Sequence, residues 1–149
     1  MHHLRSLIAA VAALLLLVPI ALADDTQLSI ASANGEHRFT VEVVDTYESR
    51  AQGLMFREQL APDAGMLFDF KESRQVAFWM ENTLIPLDMI FIRADGTIAN
   101  VHVNAKPLDR TSIPSDGPVN FVLEIPGGRS VELGIKAGDL VTHDRIQRQ

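Results

Sequence analysis

The 149-residue chain contains no cysteine, and its 13 basic and 19 acidic residues give a formal charge of −6. Without thiols there is no cysteine nucleophile, no thiolate metal site and no disulfide. The acidic balance argues against partners that a basic face would recognise, namely nucleic acids and anionic membrane surfaces.

The amino terminus opens with the basic segment His2-His3-Leu4-Arg5. An uncharged apolar run from Leu7 to Leu22 follows, closed by Ala21-Leu22-Ala23 ahead of Asp24-Asp25. Small residues at the minus-three and minus-one positions fit a signal peptidase, so residues 1–23 read as a removable signal peptide cleaved after Ala23. The run is shorter than the roughly 20 residues of a membrane-spanning helix, and Pro19 interrupts it, which disfavours an uncleaved anchor. No cysteine follows, which excludes a diacylglycerol-linked lipoprotein. The expected address is the periplasm or the medium, with membrane contact only through the signal peptide. Residues 24–149 have the length of one β-rich domain, and loss of Arg5 leaves 12 basic against 19 acidic residues, a charge of −7.

From Gln27 to Asp45 two extended segments flank Asn34-Gly35, and Phe39, Val41 and Val43 alternate with Thr40 and Glu42 as in a half-buried strand. Asp45 and Glu48 have the spacing of a capping box, and Tyr47, Arg50, Ala51 and Leu54 follow at helical intervals, which predicts a short helix stopped by Gly53. Pro62, Asp63 and Gly65 mark a loop that ends in a brief strand at Met66-Leu67-Phe68. Val76 to Met80 is a further expected strand, and Asn82-Thr83 a bend. Pro86 to Ala94 is apolar on both faces and reads as a central strand.

Asp95-Gly96 predicts a type I′ hairpin to Thr97–Ala105, which sets Met89 opposite His102, Ile90 opposite Val101 and Phe91 opposite Asn100. A proline-rich loop, Lys106 to Pro118, leads to a strand at Asn120 to Ile125. A helical turn at Arg129 to Leu133 and a strand at Asp139 to His143 complete the pattern, with a frayed tail from Asp144. The expected fold is mainly β, a small antiparallel barrel or sandwich of about seven or eight strands with one or two short helices.

An ordered series of blocks runs along this pattern: Gly53-Leu54-Met55 with Arg57, Gly65-Met66-Leu67-Phe68, Phe78-Trp79-Met80 with Asn82-Thr83, Ile85-Pro86-Leu87-Asp88, Asp95-Gly96, and Gly134 with Gly138-Asp139. In these blocks the chain, from about Phe39 to Val141, resembles the domain-of-unknown-function 192 family. The resemblance implies a small, largely β, often exported protein with a barrel-like sheet and no assigned activity. One departure is Glu81, where such proteins often carry a basic residue, and this puts anion binding at that position in doubt.

Signatures of serine hydrolases, phosphate loops, zinc proteases and dinucleotide binding are absent. Asp88 and Glu124 lie within apolar strands, where an unpaired charge costs several kcal/mol, so each requires a partner or a polar cleft. Convergence of the two would make an acid–base pair of the kind used by glycosidases. The structural alternative has Asp88 accepting from the Asn82-Thr83 backbone and Glu124 paired with an arginine. Trp79, the only tryptophan, should point away from Phe78 and Met80 and line a cleft, where a flat ring stacks on sugars, or else cover the short helix. Met55, Met66, Met80, Met89 and His102 include donor types suited to Cu(I), with Met89 and His102 adjacent, although scattered methionines equally fill core gaps.

These readings favour a non-enzymatic envelope binding or interaction module, with a site at Trp79, Glu81, Asn82, Thr83 and Asp88. Its partner would be a small molecule, a glycan or an envelope protein, with no cofactor and no nucleic acid. The alternatives are an envelope carbohydrate hydrolase using Asp88 and Glu124, and a Cu(I)-binding protein using Met89 and His102.

Overall fold

A computed structural model describes residues 26–146; the expected signal peptide, residues 1–23, lies outside the described residues. In chain order the elements are β1 (Gln27–Ser32), β2 (Gly35–Val44), α1 (Tyr47–Gln52), β3 (Ala64–Arg74), β4 (Ala77–Phe78), β5 (Leu87–Ile92), β6 (Ile98–Ala105), β7 (Ile113–Pro114), β8 (Val119–Pro126), α2 (Arg129–Leu133) and β9 (Leu140–Thr142). Seven strands form one sheet in the order β6-β5-β8-β3-β2-β1-β9, and β4 pairs with β7 in a small second sheet. Every pairing is antiparallel except β2 with β3, where α1 and its loop make the crossover that a parallel pair requires.

The sheet curls until its edge strands meet at one corner. Ile98 N–H donates to the Asp139 carbonyl at 2.9 Å, Gly138 N–H to the Ile98 carbonyl at 2.9 Å, and Val141 N–H to the Gly96 carbonyl at 2.8 Å. The result is a curled half-barrel with apolar residues on both faces. Its inner face gathers Leu28, Phe39, Val41, Leu67, Ile90, Ile92, Leu123 and Ile125. The outer face gathers Met66, Phe68, Met80, Leu87, Met89, Phe91 and Val122, covered by the segments after β2 and after β3. Burial on both faces explains the unbroken apolar run of β5, all six residues of which are buried between β6 and β8. Each fully buried Ile, Leu or Phe there contributes about 1.5–3 kcal/mol.

The register of β5 on β6 is as the sequence implies at Met89–His102, Ile90–Val101 and Phe91–Asn100. The turn differs. Only Gly96 has a positive φ, +89°, and Gly96 N–H returns to the Arg93 carbonyl, so a single left-handed glycine closes a three-residue loop in place of a type I′ pair. The shift shows as Ile92 opposite Ile98.

Three further expectations are corrected. The helix cap moves by one residue: Thr46 accepts from Ser49 N–H, and the Ser49 hydroxyl accepts from Thr46 N–H. Asp45 is instead held by Arg145 at 2.8 Å and Lys71 at 3.2 Å, and their cations keep its carboxyl below the usual range. The brief strand at Met66-Leu67-Phe68 is the middle of the 11-residue β3, which lies between β2 and β8, and its far end is exposed beyond a register break. Residues 144–146 do not fray, because Ile146 packs into the inner core and Arg145 reaches Asp45 and Asp69.

Candidate functional site

On the outer face a cavity of about 260 Å³ opens between α1 and the Ala77–Trp79 segment. One wall comes from α1 and its C-terminal turn, with Tyr47, Arg50, Gly53, Leu54 and Met55. Phe68, Phe70 and Arg74 of β3 form a second wall, Phe78, Trp79 and Thr83 a third, and Glu124 of β8 the floor.

The wall from α1 is set by local chemistry. The Thr46–Ser49 box starts the helix, and Gly53 ends it at φ +49°. A β-carbon at Gly53 would lie 3.1 Å from the Phe68 ring, so glycine also lets this turn rest on the aromatic wall. Arg50 Nη1 donates to the carbonyls of Asp45 and Asp69, and its guanidinium stacks on Phe70 at 5.1 Å. Beyond the helix, Arg57 forms a bidentate pair with Glu42, and Phe56 N–H donates to the Asn82 carbonyl, tying the turn to both β2 and the bend.

The wall from β4 is an aromatic stack. Phe78 meets Phe68 edge-on at 5.0 Å and Phe91 at 6.1 Å, which leaves the following Trp79 turned outward and 45 % exposed. Arg110 lies 5.3 Å from the indole centroid and pairs with Glu81 at 3.2 Å. Asn82 takes a positive φ of +53° at the bend, and Thr83 is buried with its N–H on the Met80 carbonyl. Trp79 and Thr83 therefore face the cavity, while Glu81 and Asn82 frame the bend beside it.

Asp88 lies elsewhere. Opposite Ile125 in the register, it faces inward, whereas Glu124, opposite Met89, faces outward. The two carboxylates share neither a face nor a cleft, so the acid–base pair is not formed. Asp88 is fully buried. Its Oδ1 accepts from the N–H groups of Asn104 and Gly128, and its Oδ2 accepts from the N–H and hydroxyl of Ser130. It thereby supplies the capping acceptor that Gly128 cannot, at the start of α2, rather than bonding the Asn82-Thr83 bend.

Glu124 is only 5 % exposed, and no donor or cation among the described residues engages its carboxyl. Its neighbours across the sheet are Met66 and Met89. Burial in this apolar setting pushes its pKa up to about 8, so the group is mostly protonated at neutral pH. The arginine partner that the sequence suggested is not there. Met89 and His102 do pair in register, but Met89 is sealed in the core and His102 is exposed on β6. No group of three or more His, Cys, Asp or Glu positioned for a metal occurs among the described residues.

Blocks from Gly53 to Trp79 and Thr83 thus build one cavity. The family model DUF192, "Uncharacterized ACR", matches residues 29–143. The chain belongs to this family. Two solved structures are similar to this DUF192 chain. One, from Sinorhizobium meliloti 1021 and described as a candidate transcription regulator, is 47 % identical over 78 % of this chain and 92 % of its own, with a TM-score of 0.77. The other, a protein of unknown function from Novosphingobium aromaticivorans DSM 12444, is 40 % identical over 90 % of this chain and 94 % of its own, with a TM-score of 0.78. No curated protein matches the sequence.

Sequence reasoning missed the contribution of α1 and of Phe68, Phe70 and Arg74, because these residues converge only through the parallel crossover. One signal was available: Glu124 is the single charged residue of the largely apolar stretch Asn120 to Ile125.

Proposed function

We propose that this DUF192 protein is a non-enzymatic binding module of the cell envelope that takes a small organic molecule into the cavity between α1 and Trp79. The observation that carries the reading is the cavity itself, about 260 Å³, with aromatic walls, an exposed indole at its margin and an unpartnered buried carboxyl at its floor. Sites of this kind combine apolar walls with a few polar groups that fix orientation. The separation of Asp88 from Glu124 disfavours two-carboxylate hydrolysis, and the Arg110 guanidinium against Trp79 leaves less of the ring for stacking on a glycan. The description of the Sinorhizobium relative suggests a role near DNA, which a charge of −6 opposes. The Ala21-Leu22-Ala23 segment supports export.

Trp79 reports directly on the cavity as the sole tryptophan. In a titration of a fragment library, ligands should change its emission saturably and shift the amide resonances of Gly53 and Thr83. A library that moves none of these signals would remove the reading. The mature protein's mass should start at Asp24.

A further inference from the structure

Two ionisable groups line the cavity, an acid and a base, and neither has a partner of opposite charge among the described residues. Glu124 at the floor has neither a donor nor a cation among the described residues, although burial of a carboxyl without a partner is costly. Arg50 in the wall is half-buried, and its Nη1 is oriented by two backbone carbonyls. No carboxylate among the described residues is within ion-pair range of its guanidinium. Several other arginines of the fold are paired: Arg57 with Glu42, Arg110 with Glu81, Arg129 with Asp63, and Arg145 with Asp45. Arg50, by contrast, lies in the wall of the cavity that also holds the unpartnered acid. The same cavity is lined by Leu54, Phe68, Phe70 and Phe78, which offer no hydrogen bonds from their side chains.

Resting on the binding-module reading, we infer that the cavity takes a small amino-carboxylate, with its ammonium on Glu124, its carboxylate on Arg50 and its apolar body against the phenylalanines. Each end of such a ligand supplies the charge that one protein group lacks, in a setting where desolvated pairs are strong and unpaired ones are penalised. A planar guanidinium held at one nitrogen still presents its other edge to a carboxylate. A ligand with only one of the two charges would leave either Glu124 or Arg50 unanswered.

The test compares compounds of the same body by Trp79 emission and calorimetry on the full mature chain. Phenylalanine and 6-aminohexanoate carry both charges, phenethylamine and hexylamine only the ammonium, and hydrocinnamate and hexanoate only the carboxylate. At least one bifunctional compound should bind tenfold or more tightly than both of its monofunctional counterparts. Glu124→Gln should erase the advantage over the carboxylate, and Arg50→Gln the advantage over the amine. Circular dichroism checks that each variant is folded, and retained selectivity in both folded variants would overturn the assignment. Equal or tighter binding of the monofunctional compounds would overturn the ligand class while leaving the cavity as a binding site. No response to any of the six, together with none to a wider library, would remove the binding-module reading and this inference with it.

Discussion

Asp88 is met by four donors and Glu124 by none, although the two sit at neighbouring positions of β5 and β8. Asp88 faces the end of the half-barrel, where the start of α2 offers N–H groups that need an acceptor, so its burial is offset by charge-assisted bonds. Glu124 faces methionines and the cavity, and the fold favours its neutral form. The consequence for stability has a definite sign. Between the ordinary value of 4.5 and about 8, the folded protein keeps a proton that the unfolded chain has released. Stability is therefore fully present below pH 4.5, falls as pH rises through this window, and levels off above pH 8. At about 1.4 kcal/mol per pH unit, the loss is on the order of 3–5 kcal/mol. Glu124→Gln should remove this slope, so its urea-unfolding free energy should overtake that of the parent progressively from pH 5 to 8. Parallel pH profiles would mean that the carboxyl is not desolvated in solution. The presence of two buried acids was legible from the sequence, since both interrupt apolar strands. Their environments were not, because a partner 40 residues away in sequence, such as Ser130 or Gly128 for Asp88, leaves no periodic trace.

Helix α1 has six residues and buries none of them, so its position depends on its ends and on Arg50 rather than on an apolar face. A helix this short is unstable by itself. Thr46→Ala, which deletes the acceptor for Ser49 N–H, should cost about 1 kcal/mol, felt locally. Amide exchange at Ser49 and Arg50 should speed up several-fold while the global unfolding midpoint moves little. Unchanged exchange would show that the cap does not hold the cavity wall. Elements differ in how much the sequence disclosed about them. Strand β5 and its register on β6 were readable because an apolar run and a glycine turn are adjacent in the chain. The length of β3 was not, since its pairing with β2 is parallel and its partner β8 lies some 50 residues further on. Most of the cavity is built at that unreadable crossing.

At the scale of the molecule, the half-barrel depends on a small joint. Residues 138–141 bind both Gly96 and Ile98, while β9 also pairs with β1, so three residues of strand hold the two ends of the sheet together. Gly96 sits at φ +89°, and a β-carbon there would approach the Val141 carbonyl to 2.5 Å. Gly96→Ala should therefore destabilise by about 2 kcal/mol or more, through strain at a left-handed position and displacement of β9. A thermal melt would show this as a lowered midpoint, and an unchanged midpoint would mean that the joint is dispensable. The same joint bears on how the protein behaves among its own copies. Where β6 and β9 are stitched, neither offers a bare row of amides and carbonyls to a passing strand. Further along β6, Asn104 adopts φ +53° and turns its N–H inward to Asp88, which kinks the remaining border. Stacking of chains edge upon edge is thereby denied a straight template, and a crowded solution of this protein should resist fibre growth.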